Sequence, residues 1–155
     1  MKARAVILFL AVCFVAPAAV YAADDAFVGT WKLNEAKSKL PAGSGKNTTV
    51  VYEMSGDSVK VTIDGTGPDG AATHNEWTGK FDGKDYAVTG SPSEDTRAVK
   101  KVDDRTLTFN VKKGGKITET GRVVVAADGK TRTVTAHGTD TNGMKTTTIA
   151  LYDKQ

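Results

Sequence analysis

A turn rhythm constrains this chain more than any other feature. Gly56-Asp57, Asp82-Gly83, Gly114-Gly115, Asp128-Gly129 and Asn142-Gly143 punctuate short runs rich in Thr and Val. Asp-Gly and Asn-Gly are the dipeptides that tight hairpin turns favour. Over most of the chain the turns fall about 10 to 14 residues apart, the rhythm of an antiparallel meander. The runs between them read as ten strands, at 27–33, 48–55, 58–64, 71–80, 85–89, 95–102, 105–112, 116–126, 131–139 and 144–152. Within 58–64, Val59, Val61 and Ile63 alternate with Lys60, Thr62 and Asp64, as a half-buried strand requires. No strand–helix–strand alternation appears, which argues against a parallel sheet.

Ten antiparallel strands in one open sheet would leave two exposed edges. Closure removes them, so the expected fold is all-β, a closed up-and-down barrel. A wall of that many strands encloses more space than its own side chains readily fill. The single helix expected is short, at 34–40, with Asn34 as N-cap and the Pro41-Ala42-Gly43-Ser44-Gly45 run ending it. Residues 34–46 read as a helical turn plus loop crossing one barrel end. Trp31, on the first strand, suits a plug for the end of a closed sheet, with Arg122 and Arg132 available to cover its ring.

The first 22 residues read as a signal peptide preceding a barrel domain at 23–155. Lys2 and Arg4 precede an apolar run from Val6 to Val20, and Val20-Tyr21-Ala22 suits cleavage after Ala22. That run is short for a membrane span. The chain's one cysteine, Cys13, lies inside the run behind bulky Val12, a poor setting for lipidation. A mature domain without cysteine has no disulfides, and its stability rests on its core. Loss of Lys2 and Arg4 leaves 19 basic against 18 acidic residues, a net +1, so no electrostatic case exists for nucleic acid. An outer-membrane barrel needs a lipid-facing apolar band on each strand. Lys60, Lys100 and Arg132 break the faces on which such a band would run.

Candidate functional residues are few. His74 and Glu76 share a strand face and suit acid–base work, and the same spacing suits a solvated outer wall. His137 is the other histidine, and no third ligand is spaced to complete a metal site. Arg97 and Arg122 are candidates for an anionic ligand group, or they point outward. Tyr52, Trp77, Tyr86, Phe109 and Tyr152 are aromatic candidates for a ligand wall, or they serve the core. The Gly65–Gly70 segment lies between strands and offers no helix N-terminus to a phosphate. The expected ligand set is Tyr52, His74, Trp77, Arg97, Phe109, Arg122 and Tyr152, with no cofactor, no metal and no catalytic residue.

At Gly29-Thr30-Trp31-Lys32-Leu33-Asn34 the chain resembles the calycins, the lipocalins and fatty-acid-binding proteins, which carry Gly-x-Trp on the first strand. It also resembles small secreted bacterial lipocalin-like proteins of undefined function, through FVGTWKLN, KSK and the Phe81-Asp82-Gly83-Lys84-Asp85-Tyr86 hairpin. The resemblance implies a barrel with a small hydrophobic or amphipathic ligand in its lumen. The strand count matches the fatty-acid-binding branch. That branch holds a carboxylate with an Arg-x-Tyr on its last strand. Here the place reads Ala150-Leu151-Tyr152, with the Tyr but not the Arg.

Three functions are open: an exported small-molecule binder, an interaction module with a filled lumen, and an enzyme using His74 and Glu76. A binder needs an open cavity of roughly 300 Å³ or more. A module needs a filled lumen and an exposed apolar patch. An enzyme needs His74 and Glu76 pointing inward. The Thr-rich composition favours a polar lumen and places binding first.

Overall fold

The computed structural model describes residues 25–139 and 142–155, so the expected signal peptide lies outside the described residues. Ten strands run in chain order: β1 (Gly29–Leu33), β2 (Lys46–Ser55), β3 (Ser58–Thr66), β4 (Ala72–Gly79), β5 (Asp82–Thr89), β6 (Thr96–Asp103), β7 (Thr106–Lys113), β8 (Lys116–Val125), β9 (Thr131–Thr139) and β10 (Lys145–Lys154). Each pairs antiparallel with its sequence neighbours, and β1 pairs with β10, closing the barrel. The expected up-and-down architecture is therefore the observed one.

The expected helix shrinks to one 3-10 turn, Glu35–Lys37. Asn34 caps it as expected, its Oδ1 accepting from the Lys37 amide at 3.3 Å. A competing partner ends it. Lys39 exchanges backbone hydrogen bonds with Ile149 on β10, at 2.7 and 2.9 Å. The Leu151 amide donates to Ser38 Oγ at 2.9 Å, and the Leu151 carbonyl accepts from the Asn34 amide at 2.8 Å. β1 is too short to cover β10, and the segment after it satisfies the strand edge instead. The Asp82-Gly83 turn also moves. β5 begins at Asp82, and an irregularity between Asp82 and Asp85 absorbs the pair.

One end of the barrel is sealed by Trp31, which is wholly buried. Its indole N–H donates to the Phe27 carbonyl at 2.8 Å. Arg132 Cζ lies 4.9 Å from its ring centroid and Lys154 Nζ lies 5.2 Å away. Of the two arginines expected over this ring, Arg132 takes the place. Arg122 is exposed on β8, next to buried Val123 and on the other face of the strand. Gly29 makes the arrangement fit: its φ is +123°, and a Cβ there would stand 2.9 Å from Lys154 Cε. The Gly-x-Trp spacing thus leaves room for the lysine stem that borders the tryptophan.

The wall is weakest between β4 and β5, which share only the register pairs Glu76 with Thr89 and Trp77 with Val88. Aromatic packing bridges the gap. Trp77 stacks on Phe81 at 6.4 Å and meets Tyr86 edge-on at 5.9 Å. Its indole N–H reaches past β5 to the Arg97 carbonyl on β6, at 2.9 Å.

Gly29→Ala is expected to destabilise the protein by about 1–3 kcal/mol, because the residue must hold a φ that L side chains rarely adopt. Urea denaturation of the two proteins measures it, and an unchanged midpoint contradicts this account of the motif.

Candidate functional site

Above the Trp31 seal the barrel encloses a cavity of about 670 Å³. Gly67, Pro68, Ser91 and Pro92, from the loops at the far end, border it and mark its mouth. Strand alternation sends Val50, Val61, Ile63, Leu107 and Val123 inward, and all are buried. At Gly121 an inward Cβ would stand 2.3 Å from the Phe109 ring. The glycine lets that ring lie flat along the wall opposite its own strand partner.

Six of the seven expected ligand residues border this cavity: Tyr52, His74, Trp77, Arg97, Phe109 and Tyr152. Arg122 does not reach it. His74 borders the rim, but its imidazole belongs to the outer wall. His74 Nδ1 lies 2.6 Å from Asp64 Oδ1, with both side chains more than half exposed. Glu76 lies on the same outer face and pairs with Lys60 at 2.9 Å. The neighbours Asn75 and Trp77 are the inward residues of β4. His137 is exposed as well and contacts Thr147 Oγ1 at 3.1 Å. The outer wall therefore carries charge along its strands, unlike the apolar band of a membrane barrel. No described helix is long and apolar enough to cross a membrane.

The lumen holds two carboxylates, Glu94 and Glu119, that the sequence reading did not place there, together with Arg97 and Arg132. Arg97 grips Glu94 with two bonds, Nη2 to Oε1 at 2.6 Å and Nε to Oε2 at 3.2 Å, with side chains 12% and 8% exposed. Glu119 stands nearby on β8. Its pKa is raised from the ordinary 4.5 chiefly by burial and further by Glu94, against a lowering from Arg97. Deeper in, Arg132 is 2% exposed, and its Cζ lies 5.0 Å from the Tyr52 ring and 4.8 Å from the Tyr152 ring. Those rings and Trp31 face the guanidinium, whose Nε and Nη1 are buried without a hydrogen-bond acceptor. Burial pushes the Tyr152 phenol up to about 12 despite Arg132. It therefore stays a donor, and it bonds the Asn47 carbonyl at 3.0 Å. Among the described residues, no cluster of His, Cys, Asp and Glu is arranged to hold a metal ion.

Arg132 was legible as an inward residue, since it shares a strand face with Val134 and Ala136. Glu119 was not. It shares a strand face with Ile117, Gly121, Val123 and Val125, but a charged residue flanked by Thr118 and Thr120 reads as an outward one.

Because its folded pKa is raised, ionised Glu119 costs stability at a pH above that pKa. The protonated form carries no such cost. Stability due to this group therefore falls as pH rises from 4.5 through the folded value. Glu119→Gln is expected to raise the urea midpoint at pH 8, with the gain vanishing near pH 4. A gain independent of pH contradicts the assignment.

The sequence matches no protein-family model and no curated protein. Among solved structures, a redesigned β-barrel, mFAP1, bound to DFHBI, is similar at 15% identity over 83% of this chain and 95% of its own, with a TM-score of 0.43. EF1p2_mFAP2b bound to DFHBI is similar at 12% identity over 84% of this chain and 94% of its own, with a TM-score of 0.47. Identities this low carry nothing about ligands from those proteins to this one.

Proposed function

We propose that this chain is an exported binding protein, periplasmic or extracellular, that holds a small apolar or amphipathic molecule in its barrel lumen and performs no catalysis on it. The observation that carries the reading is the cavity of about 670 Å³, sealed by Trp31 at one end and bordered by loops at the other. Pockets for small molecules run to roughly 300–1,000 Å³, with apolar walls and a few placed polar groups. This lumen has both, in Phe109 and Trp77 on one hand and Arg97, Glu94 and Glu119 on the other.

The cavity speaks against an interaction module, which needs a filled lumen. The outward placement of His74 and Glu76 speaks against the enzyme reading that relied on them as an acid–base pair. Export rests on the basic start, apolar run and Val20-Tyr21-Ala22 site of the leader.

Two measurements test the proposal. Native mass spectrometry of protein purified from its own host, before and after mild organic extraction, is expected to reveal a removable small molecule. A clean apo mass across several preparations defeats a tight carrier role. Thr148→Trp, on an inward position of β10 that borders the cavity, is expected to abolish that adduct while the fold survives. Retention of the adduct places the ligand elsewhere. N-terminal sequencing of protein from the exported fraction is expected to begin at Ala23, and an intact Met1 there contradicts the leader.

A further inference from the structure

The charges inside the lumen are unevenly matched. Arg132, at the sealed end, has rings of Trp31, Tyr52 and Tyr152 within about 5 Å of its Cζ. Those rings partly balance its charge. Nearer the mouth, both Glu94 oxygens are taken by Arg97. Among the described residues, none forms a salt bridge with Glu119. Register places Arg97 opposite Val111, and Val111 opposite Glu119, so one strand separates the pair from the second carboxylate. Two carboxylates and one guanidinium leave this part of the lumen one negative charge in excess when all are ionised. The rim lysine, Lys46, is held by Glu35 at 2.8 Å and does not offset it.

Space and a hydroxyl accompany that charge, and a further acceptor lies elsewhere in the cavity wall. Gly138 is the strand partner of Glu119 on β9. A Cβ at Gly138 would stand 3.7 Å from Glu119 Oε2 and 3.5 Å from Thr146 Oγ1, so the missing side chain leaves the flank of the carboxylate open beside a hydroxyl. On β4, Asn75 is 9% exposed in the cavity wall, and its Oδ1 has no hydrogen-bond donor. The unmatched donors, Nε and Nη1 of Arg132, lie at the sealed end, whereas the unmatched acceptors toward the mouth call for a ligand end rich in donors.

We infer that the lumen is selective for an amphipathic amine, whose ammonium group sits against Glu119 beside Gly138 while its apolar body lies along Phe109 and Trp77. This rests on the small-molecule-binding reading and names its ligand class. An ammonium supplies three donors and the one positive charge that balances Glu119. Burial makes that pairing worth more than the same contact in water.

The test uses three fluorescent probes with the same dansyl group, titrated into purified protein at pH 7.5. They are dansylcadaverine (an amine), its N-acetyl derivative (neutral) and 11-(dansylamino)undecanoic acid (an anion). The amine is expected to bind at least tenfold more tightly than the neutral probe. Glu119→Gln is expected to erase that preference without weakening the neutral probe. Gly138→Val, which fills the space beside the carboxylate and leaves Glu119 in place, is expected to weaken the amine selectively. Equal affinity for amine and neutral probes overturns the inference and leaves lumen binding standing. So does an amine preference that survives Glu119→Gln. Tightest binding of the anion overturns it in favour of Arg132. No saturable binding of any probe defeats both the amine and the lumen reading.

Discussion

Everything in this fold depends on how one end of a ten-stranded wall is closed. Trp31 fills that end, and an arginine and a lysine border its ring. A buried guanidinium without a carboxylate is costly, and three aromatic rings offset the cost by facing it with their electron density. The arrangement fixes two functional properties together. It seals the barrel against solvent, and it occupies Arg132, so that the lumen's remaining polar chemistry gathers near the mouth.

The same economy explains why a chain with modest apolar content tolerates a cavity. Its core is a lower layer of Val50, Val61, Leu107, Val123 and Val125, packed with Trp31, Phe27 and Trp77. Above that layer many of the inward residues are small or polar, among them Thr146, Thr148 and Gly138. Side chains of that size cannot meet across a ring of ten strands. The lumen is therefore a product of strand number and residue size together.

The architecture was readable because hairpin turns announce themselves locally, and a meander is little more than its turns. The failures have physical causes. Residues 34–40 carry a good cap, but the edge of β10 outbids the helix for their backbone groups, and that edge lies more than a hundred positions away in sequence. Faces were readable wherever Val and Ile alternate with polar residues, as along β3, or where Arg132 keeps company with Val134 and Ala136. They were less readable on β4, where threonine lies on both faces, and on β8, where Glu119 interrupts the inward face and Val124 the outward one. That is why His74 and Arg122 entered the expected ligand set and Glu119 did not. Polar lumens hide from pattern reading because their inner and outer faces look alike.

The pairing of Trp31 with Lys154 joins the two ends of the domain. No fragment missing either end can complete the ring. A chain emerging from synthesis exposes an open sheet edge until β10 is free, and long-range closure of this kind is slow. The wall's most exposed moment is its assembly, so a chaperone that shields β1 until β10 arrives would act at the step where misassembly begins.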